Sequence, residues 1–127
     1  MVKHEDLTFN EKQMALDEAS GIMNAPNIQD TTDHIRTWAI YRGLDEADPN
    51  KQMLKLMEEV GEIAAALARG NTDEVKDGIG DAHVVLTILS MQLGTSIEEC
   101  AGISYNEIKD RKGKMIDGVF VKEADLK

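Results

Sequence analysis

The sequence predicts an all-α fold: a helical bundle of antiparallel helices in a single domain, intertwined in a homo-oligomer. Three observations carry that expectation. Apolar residues make up 42% of the chain but aromatics only 4%, so Ala, Leu, Ile and Met must supply the core, a balance that suits packed helices better than sheets. The long segments are punctuated by residues that start and stop helices, and the loops between them are short enough to force consecutive helices into antiparallel neighbours. From Ala82 to Leu93 nearly every position is apolar, more than a chain of 127 residues can bury alone, which points to a homodimer or homotetramer.

Element by element, Phe9, Met14, Leu16, Ala19 and Met23 suggest a moderately amphipathic helix over about Leu7 to Asn24, broken by Asn24-Ala25-Pro26-Asn27. A short helix with Ile35, Trp38, Ala39 and Ile40 follows from about Thr32 to Tyr41, ended by Gly43. Asp48 is a good N-cap, Pro49 occupies the first helical position, where its missing N–H costs nothing, and Gly70 stops the helix. Asn71-Thr72-Asp73-Glu74 opens the next helix in the manner of a capping box, and Gly94 ends it. Ser96-Ile97-Glu98-Glu99 starts a further helix to about Arg111, and the tail from Gly113 reads as turns and a short extended piece around Val119-Phe120-Val121.

The formal net charge is −10, so the chain lacks the basic balance needed to grip a nucleic acid polymer, though a metal can still bridge an acidic protein to a small anion. Cys100 is the only cysteine, which excludes an intrachain disulfide and a cysteine zinc site. Neither an 18-residue apolar run nor a basic-then-apolar start is present, so no membrane association and a cytoplasmic location are expected.

The chemistry is expected in Lys55-Leu56-Met57-Glu58-Glu59-Val60-Gly61-Glu62. Glu59 and Glu62 lie about 60° apart around a helix and Glu58 and Glu62 about 40°, so three carboxylates share one flank. Like charges at that spacing repel by some tenths of a kcal/mol per pair, and Gly61 costs roughly 1 kcal/mol more. A hard divalent cation would offset both, and oxygen donors suit Mg²⁺ or Mn²⁺. If the two central helices turn back at Gly70 and Asn71, residues whose numbers sum to about 141 stand level. Asp77 and Asp81 then face Glu59 and Glu62. The alternative is that both clusters are solvated faces.

KLMEEVGEIAAAL followed by GDAHVVLTIL resembles the MazG-like superfamily of all-α nucleoside triphosphate pyrophosphatases, over about Trp38 to Lys114. The resemblance implies Mg²⁺-dependent cleavage of the α–β phosphate bond, giving a nucleoside monophosphate and pyrophosphate. The family pattern is EExxE, a spacer, then ExxD. Glu58, Glu59 and Glu62 fit the first part and Asp81 the final Asp, but position 78 is Gly where the pattern has Glu. Asp77, four residues before Asp81, is the expected substitute ligand, with Glu74 a more distant one. Glu placed at position 78 is expected to recover part of the activity lost in Asp77→Asn. The metal ligands are therefore expected to be Glu59, Glu62, Asp77 and Asp81, with Glu58 or Glu59 as the base that takes the water's proton.

Asn106-x-x-Lys109 is similar to a phosphate-contacting motif of the same family, and Arg111, Lys112 and Lys114 extend that basic group. For Arg111 and Lys112 an equal reading is that they offset the helix dipole. Trp38 stands where the family often has an aromatic that stacks on the base, or serves as a core anchor. His83 points about 160° away from Asp81 and reads as a core or interface histidine. Two rival functions remain open: a nucleotide-binding or regulatory relative impaired by Gly78, and a helical oligomerisation module.

Overall fold

The structure, a computed structural model, describes residues 27–126; the helix expected over about Leu7 to Asn24 lies outside the described residues. Among these, the chain is mostly helical, with one small two-stranded sheet. It divides into two compact units, one up to Thr95 and one from Ser96 onward.

In the first unit, α1 spans Ile28–Tyr41, α2 Pro49–Arg69 and α3 Thr72–Gln92, with a short 3-10 turn at Leu44–Glu46 between α1 and α2. Helix α1 begins four residues earlier than the sequence suggests because Asn27 is its N-cap, its side chain accepting from the backbone N–H of Gln29 and Asp30. Gly43, at φ 72°, takes the left-handed conformation that lets the chain turn away after α1. Asp48 caps α2 by accepting from Asn50 N–H at 2.9 Å, with Pro49 in the first position as expected. Gly70, at φ 69°, closes α2, and Asn71 N–H reaches back to Ala66 C=O at 3.0 Å, satisfying a terminal carbonyl. The Asn71 side chain then caps α3 by accepting from Glu74 N–H. One dipeptide thus ends one helix and starts its antiparallel partner.

Helices α2 and α3 form the main packing surface, and α1 lies against α3. Gln52 Nε2 donates to Val85 C=O at 3.1 Å across the hairpin, and Gln92 Nε2 to Leu44 C=O at 2.9 Å. The Thr32 hydroxyl donates to Ile28 C=O at 2.7 Å and stands 2.9 Å from His83 Nε2. One hydroxyl thus bridges a backbone carbonyl of α1 and the imidazole of α3. His83 is therefore a structural tie between α1 and α3, in line with the core reading.

The apolar core formed by the described residues is small. Among the described residues, Ala39, Ala66, Val85 and Ile88 are the buried hydrophobics, and the largest fully enclosed side chain is Thr87. Thr87 and Ser90 satisfy their hydroxyls on the helix's own carbonyls, His83 C=O and Thr87 C=O respectively. Burial of α3 around most of its circumference is only partly realised within one chain, since Leu86 and Leu93 remain exposed.

The second unit consists of α4 (Ile97–Ile108), the strands β1 (Gly113–Ile116) and β2 (Val119–Lys122), and a 3-10 turn at Glu123–Asp125. Ser96 caps α4 by accepting from Glu99 N–H at 3.1 Å, and the helix stops three residues before Arg111. The tail is more regular than expected: β1 and β2 form an antiparallel hairpin pairing Met115 with Phe120. Asp117 and Gly118 both take positive φ, the two-residue turn that an Asp-Gly pair favours.

Candidate functional site

The α2–α3 hairpin brings together four of the expected carboxylates. Glu59 is buried, with 8% of its surface exposed, on the side of α2 that meets α3. Its Oε2 has no hydrogen-bond partner. Burial, then the negative charges of Glu62 and Asp81, push the Glu59 carboxyl above the usual range, and Lys55 partly opposes them. Asp81 is raised for matching reasons: burial first, then Asp77 and Glu62, again opposed by Lys55. Glu62 thus acts on Glu59 from the next turn of α2, and Asp77 on Asp81 from the preceding turn of α3. Among the described residues, no three His, Cys, Asp or Glu side chains are arranged as they stand to hold a metal ion. The donor set nonetheless suits a hard cation by its chemistry: all oxygen, mutually repelling, and including one buried oxygen with nothing to satisfy it.

Glu62, Asp77 and Asp81 line an open cavity of about 320 Å³, together with Gly78, Arg69 and Glu74. Arg69 forms an ion pair with Glu74, so the more distant acid of α3 already has a cationic partner. Gly78 is buried against α2: a Cβ there would stand 2.6 Å from Ile63 Cγ1. A Glu at position 78, expected to recover part of the activity, would therefore have to displace Ile63 first. Any side chain at that position is directed into the helix–helix contact.

Glu58 is not part of this cluster; it is exposed, and its Oε2 lies 3.4 Å from Lys55 Nζ. Trp38 is half-buried and lines a second cavity of about 420 Å³, shared with Leu44, Gln52, Lys55, Val85 and Ile88. Lys55 thus borders the Trp38 cavity while its charge acts on Glu59 and Asp81. The expected phosphate-binding residues belong to the second unit. Asn106 lies in the last turns of α4, Lys109 caps that helix, Arg111 and Lys112 follow it, and Lys114 is the second residue of β1; all are exposed.

Lys55 and Arg69 were the site residues that sequence reasoning passed over. Lys55 stands one turn before Glu59, and Arg69 two turns after Glu62 on the same flank, so helical spacing alone could have found both.

No family model matches the chain, and no solved structure matches it. A protein of Haemophilus phage HP1 (strain HP1c1), described as an "uncharacterized 18.2 kDa protein in rep-hol intergenic region", is 42% identical over 67 residues. That match takes in 52% of this chain and 41% of the phage protein. The match spans less than half the length of the phage protein.

Proposed function

We propose that the protein is a Mg²⁺-dependent nucleoside triphosphate pyrophosphohydrolase of the MazG-like type, cleaving a (deoxy)nucleoside triphosphate to the monophosphate and pyrophosphate as a cytoplasmic homo-oligomer. The observation that carries this reading is Glu59: a buried carboxyl with an unsatisfied oxygen, crowded by Glu62 and Asp81 from two helices. Such a group is stabilised either by a proton or by a cation. Glu59, Glu62, Asp77 and Asp81 would hold Mg²⁺ or Mn²⁺, which supplies charge neutralisation and a more acidic bound water. Lys55 lies between the carboxylates and the Trp38 cavity, where a cation can meet a phosphate while a planar base enters beside the indole. Of the two base candidates, Glu59 is the better placed, because Glu58 faces solvent and Lys55.

Pyrophosphate release from a panel of ribo- and deoxynucleoside triphosphates, with and without Mg²⁺, tests the proposal. Metal-dependent release of pyrophosphate together with the monophosphate is the expected result; release of orthophosphate, or no turnover, would refute it. One observation favours a second reading, in which the protein binds nucleotide without hydrolysing it. Gly78 is committed to packing on Ile63, so the site has a carboxylate fewer than the family pattern at that position. Nucleotide binding by calorimetry in the absence of turnover would select that reading.

A further inference from the structure

We infer that Arg69 binds the pyrophosphate end of the substrate, giving up its ion pair with Glu74 to do so. The inference rests on the functional reading above and adds to it a cation that the metal-ligand pattern does not contain. The cavity beside Asp77 runs along the hairpin between two unlike ends: Glu62 and Asp81 line one, Arg69 and Glu74 the other. On each helix those ends are seven residues apart, Glu62 to Arg69 along α2 and Asp81 to Glu74 back along α3. Seven residues rise about 10 Å and return to within about 20° of the same flank. Because the helices are antiparallel, both steps run in one direction, toward the turn at Gly70 and Asn71. Ala65 and Gly78 line the cavity between its ends, and such small residues keep the way open.

The two ends suit opposite charges. The first is carboxylate on both helices and suits a cation. At the second, Arg69 is the only positively charged residue among the described residues that line the cavity. Its ion pair with Glu74 uses Nη2, so the guanidinium keeps donors for a bidentate hold on phosphate oxygens. Bracing the hairpin is a poor account of that pair. Both side chains are more than half exposed, and an exposed ion pair contributes little to stability. The turn is already held by the left-handed Gly70 and by the Asn71 cap.

Position along α2 decides which part of a nucleotide Arg69 meets. Lys55, Glu62 and Arg69 follow one another on one flank at steps of seven residues. Lys55 borders the Trp38 cavity, so a base beside Trp38 lies at one end of this row, the carboxylates in the middle and Arg69 at the far end. A triphosphate running along the row brings its terminal phosphates, the pyrophosphate half, to the guanidinium. Glu74 is then a rival anion. It neutralises Arg69 before phosphate arrives and repels the phosphate that displaces it.

Calorimetric titration of the full chain with inorganic pyrophosphate in Mg²⁺ tests this without turnover, so its outcome is separate from that of the activity assay. The parent protein should bind pyrophosphate, and Arg69→Gln should weaken that binding about tenfold or more. Arg69→Lys should lose less, because it keeps the charge but not the planar fork. Glu74→Gln should tighten binding severalfold by removing the rival charge. Exposed Lys76→Gln makes the same change in net charge as Arg69→Gln outside the cavity, and should titrate like the parent. A parent that binds no pyrophosphate, or an Arg69→Gln titration matching the parent's, would overturn the inference. So would equal losses in Arg69→Gln and Glu74→Gln, the mark of a pair that only braces the turn, or an equal loss in Lys76→Gln, the mark of bulk charge. Should Arg69→Gln fail to fold, Glu74→Gln decides: tighter binding supports the inference, and unchanged or weaker binding overturns it. Nucleotide turnover with pyrophosphate binding indifferent to Arg69 would leave the functional reading standing and remove Arg69 from it.

Discussion

Gly78 of α3 lies directly against Ile63 of α2, so closely that a Cβ would come within 2.6 Å of Ile63 Cγ1. The contact falls on the same stretch of α3 as Asp77 and Asp81, where the two helices bring their carboxyl groups together. Gly80, two residues on, has nothing within 4 Å of its would-be Cβ. The two glycines should therefore respond oppositely. Gly80→Ala should stabilise by up to about 1 kcal/mol through helix propensity. Gly78→Ala should destabilise, because overpacking at about 1–3 kcal/mol outweighs that gain, and Gly78→Glu should cost more still. Urea denaturation of the three variants checks this, and a Gly78→Glu protein as stable as the parent would show that Ile63 yields freely.

The raised carboxyls of Glu59 and Asp81 set a pH dependence whose sign is fixed. A carboxyl raised in the folded state holds its proton more tightly there than in the unfolded chain. Its stabilising contribution is complete below the ordinary carboxylate range and is lost as pH rises through the raised folded value. Without divalent metal, the part of the stability due to this pair should fall as pH rises from that range toward neutrality. The carboxyls become ionised and repel. If Mg²⁺ binds there, it should restore stability at neutral pH and bind more weakly as pH falls. Thermal melts at several pH values, with Mg²⁺ and with chelator, measure both, and melts insensitive to Mg²⁺ at neutral pH would count against a metal site.

Glu62→Gln and Asp81→Asn each remove one negative charge while nearly preserving size. Metal-free stability should hold or rise by some tenths of a kcal/mol as repulsion is relieved, while pyrophosphate release should drop sharply. Turnover of either variant at the parent rate in saturating Mg²⁺ would remove that residue from the ligand set.

Asp77→Asn should weaken Mg²⁺ affinity by about tenfold or more, the scale of a lost ligand or of a lost partner to one. Calorimetric titration with Mg²⁺ alone reads this directly. A titration matching the parent protein would leave Asp77 as a neighbour of Asp81 and no more.

Lys55→Met keeps the aliphatic stem along the Trp38 cavity and removes the ammonium. With a phosphate held there, KM for the triphosphate should rise roughly tenfold, about 1.4 kcal/mol for one charge-assisted contact. Binding of the unphosphorylated nucleoside should change little. Equal losses for nucleoside and triphosphate would instead point to a packing role for Lys55.

The sequence by itself determined the punctuation of α2, α3 and α4. Asp48-Pro49, Gly70-Asn71 and Ser96 are local signals, satisfied by backbone groups within a few residues, and each ended or began the helix it should. It also determined the register of the α2–α3 hairpin, because a two-residue turn leaves only one way to match heights, and Ile63 meets Gly78 accordingly. The Asp117-Gly118 turn was equally legible, yet the hairpin around it was read only as an extended piece. What tertiary structure alone decided was direction and burial. Glu58 and Glu59 are adjacent and identical in type, but one full helical step sends the first to solvent and Lys55 and the second into the contact with α3. Position 78 read as a missing ligand, and only the closeness of α2 showed it to be a packing position. Burial and the approach of a facing helix depend on residues far apart in the chain, so they become fixed only when the two helices close on one another.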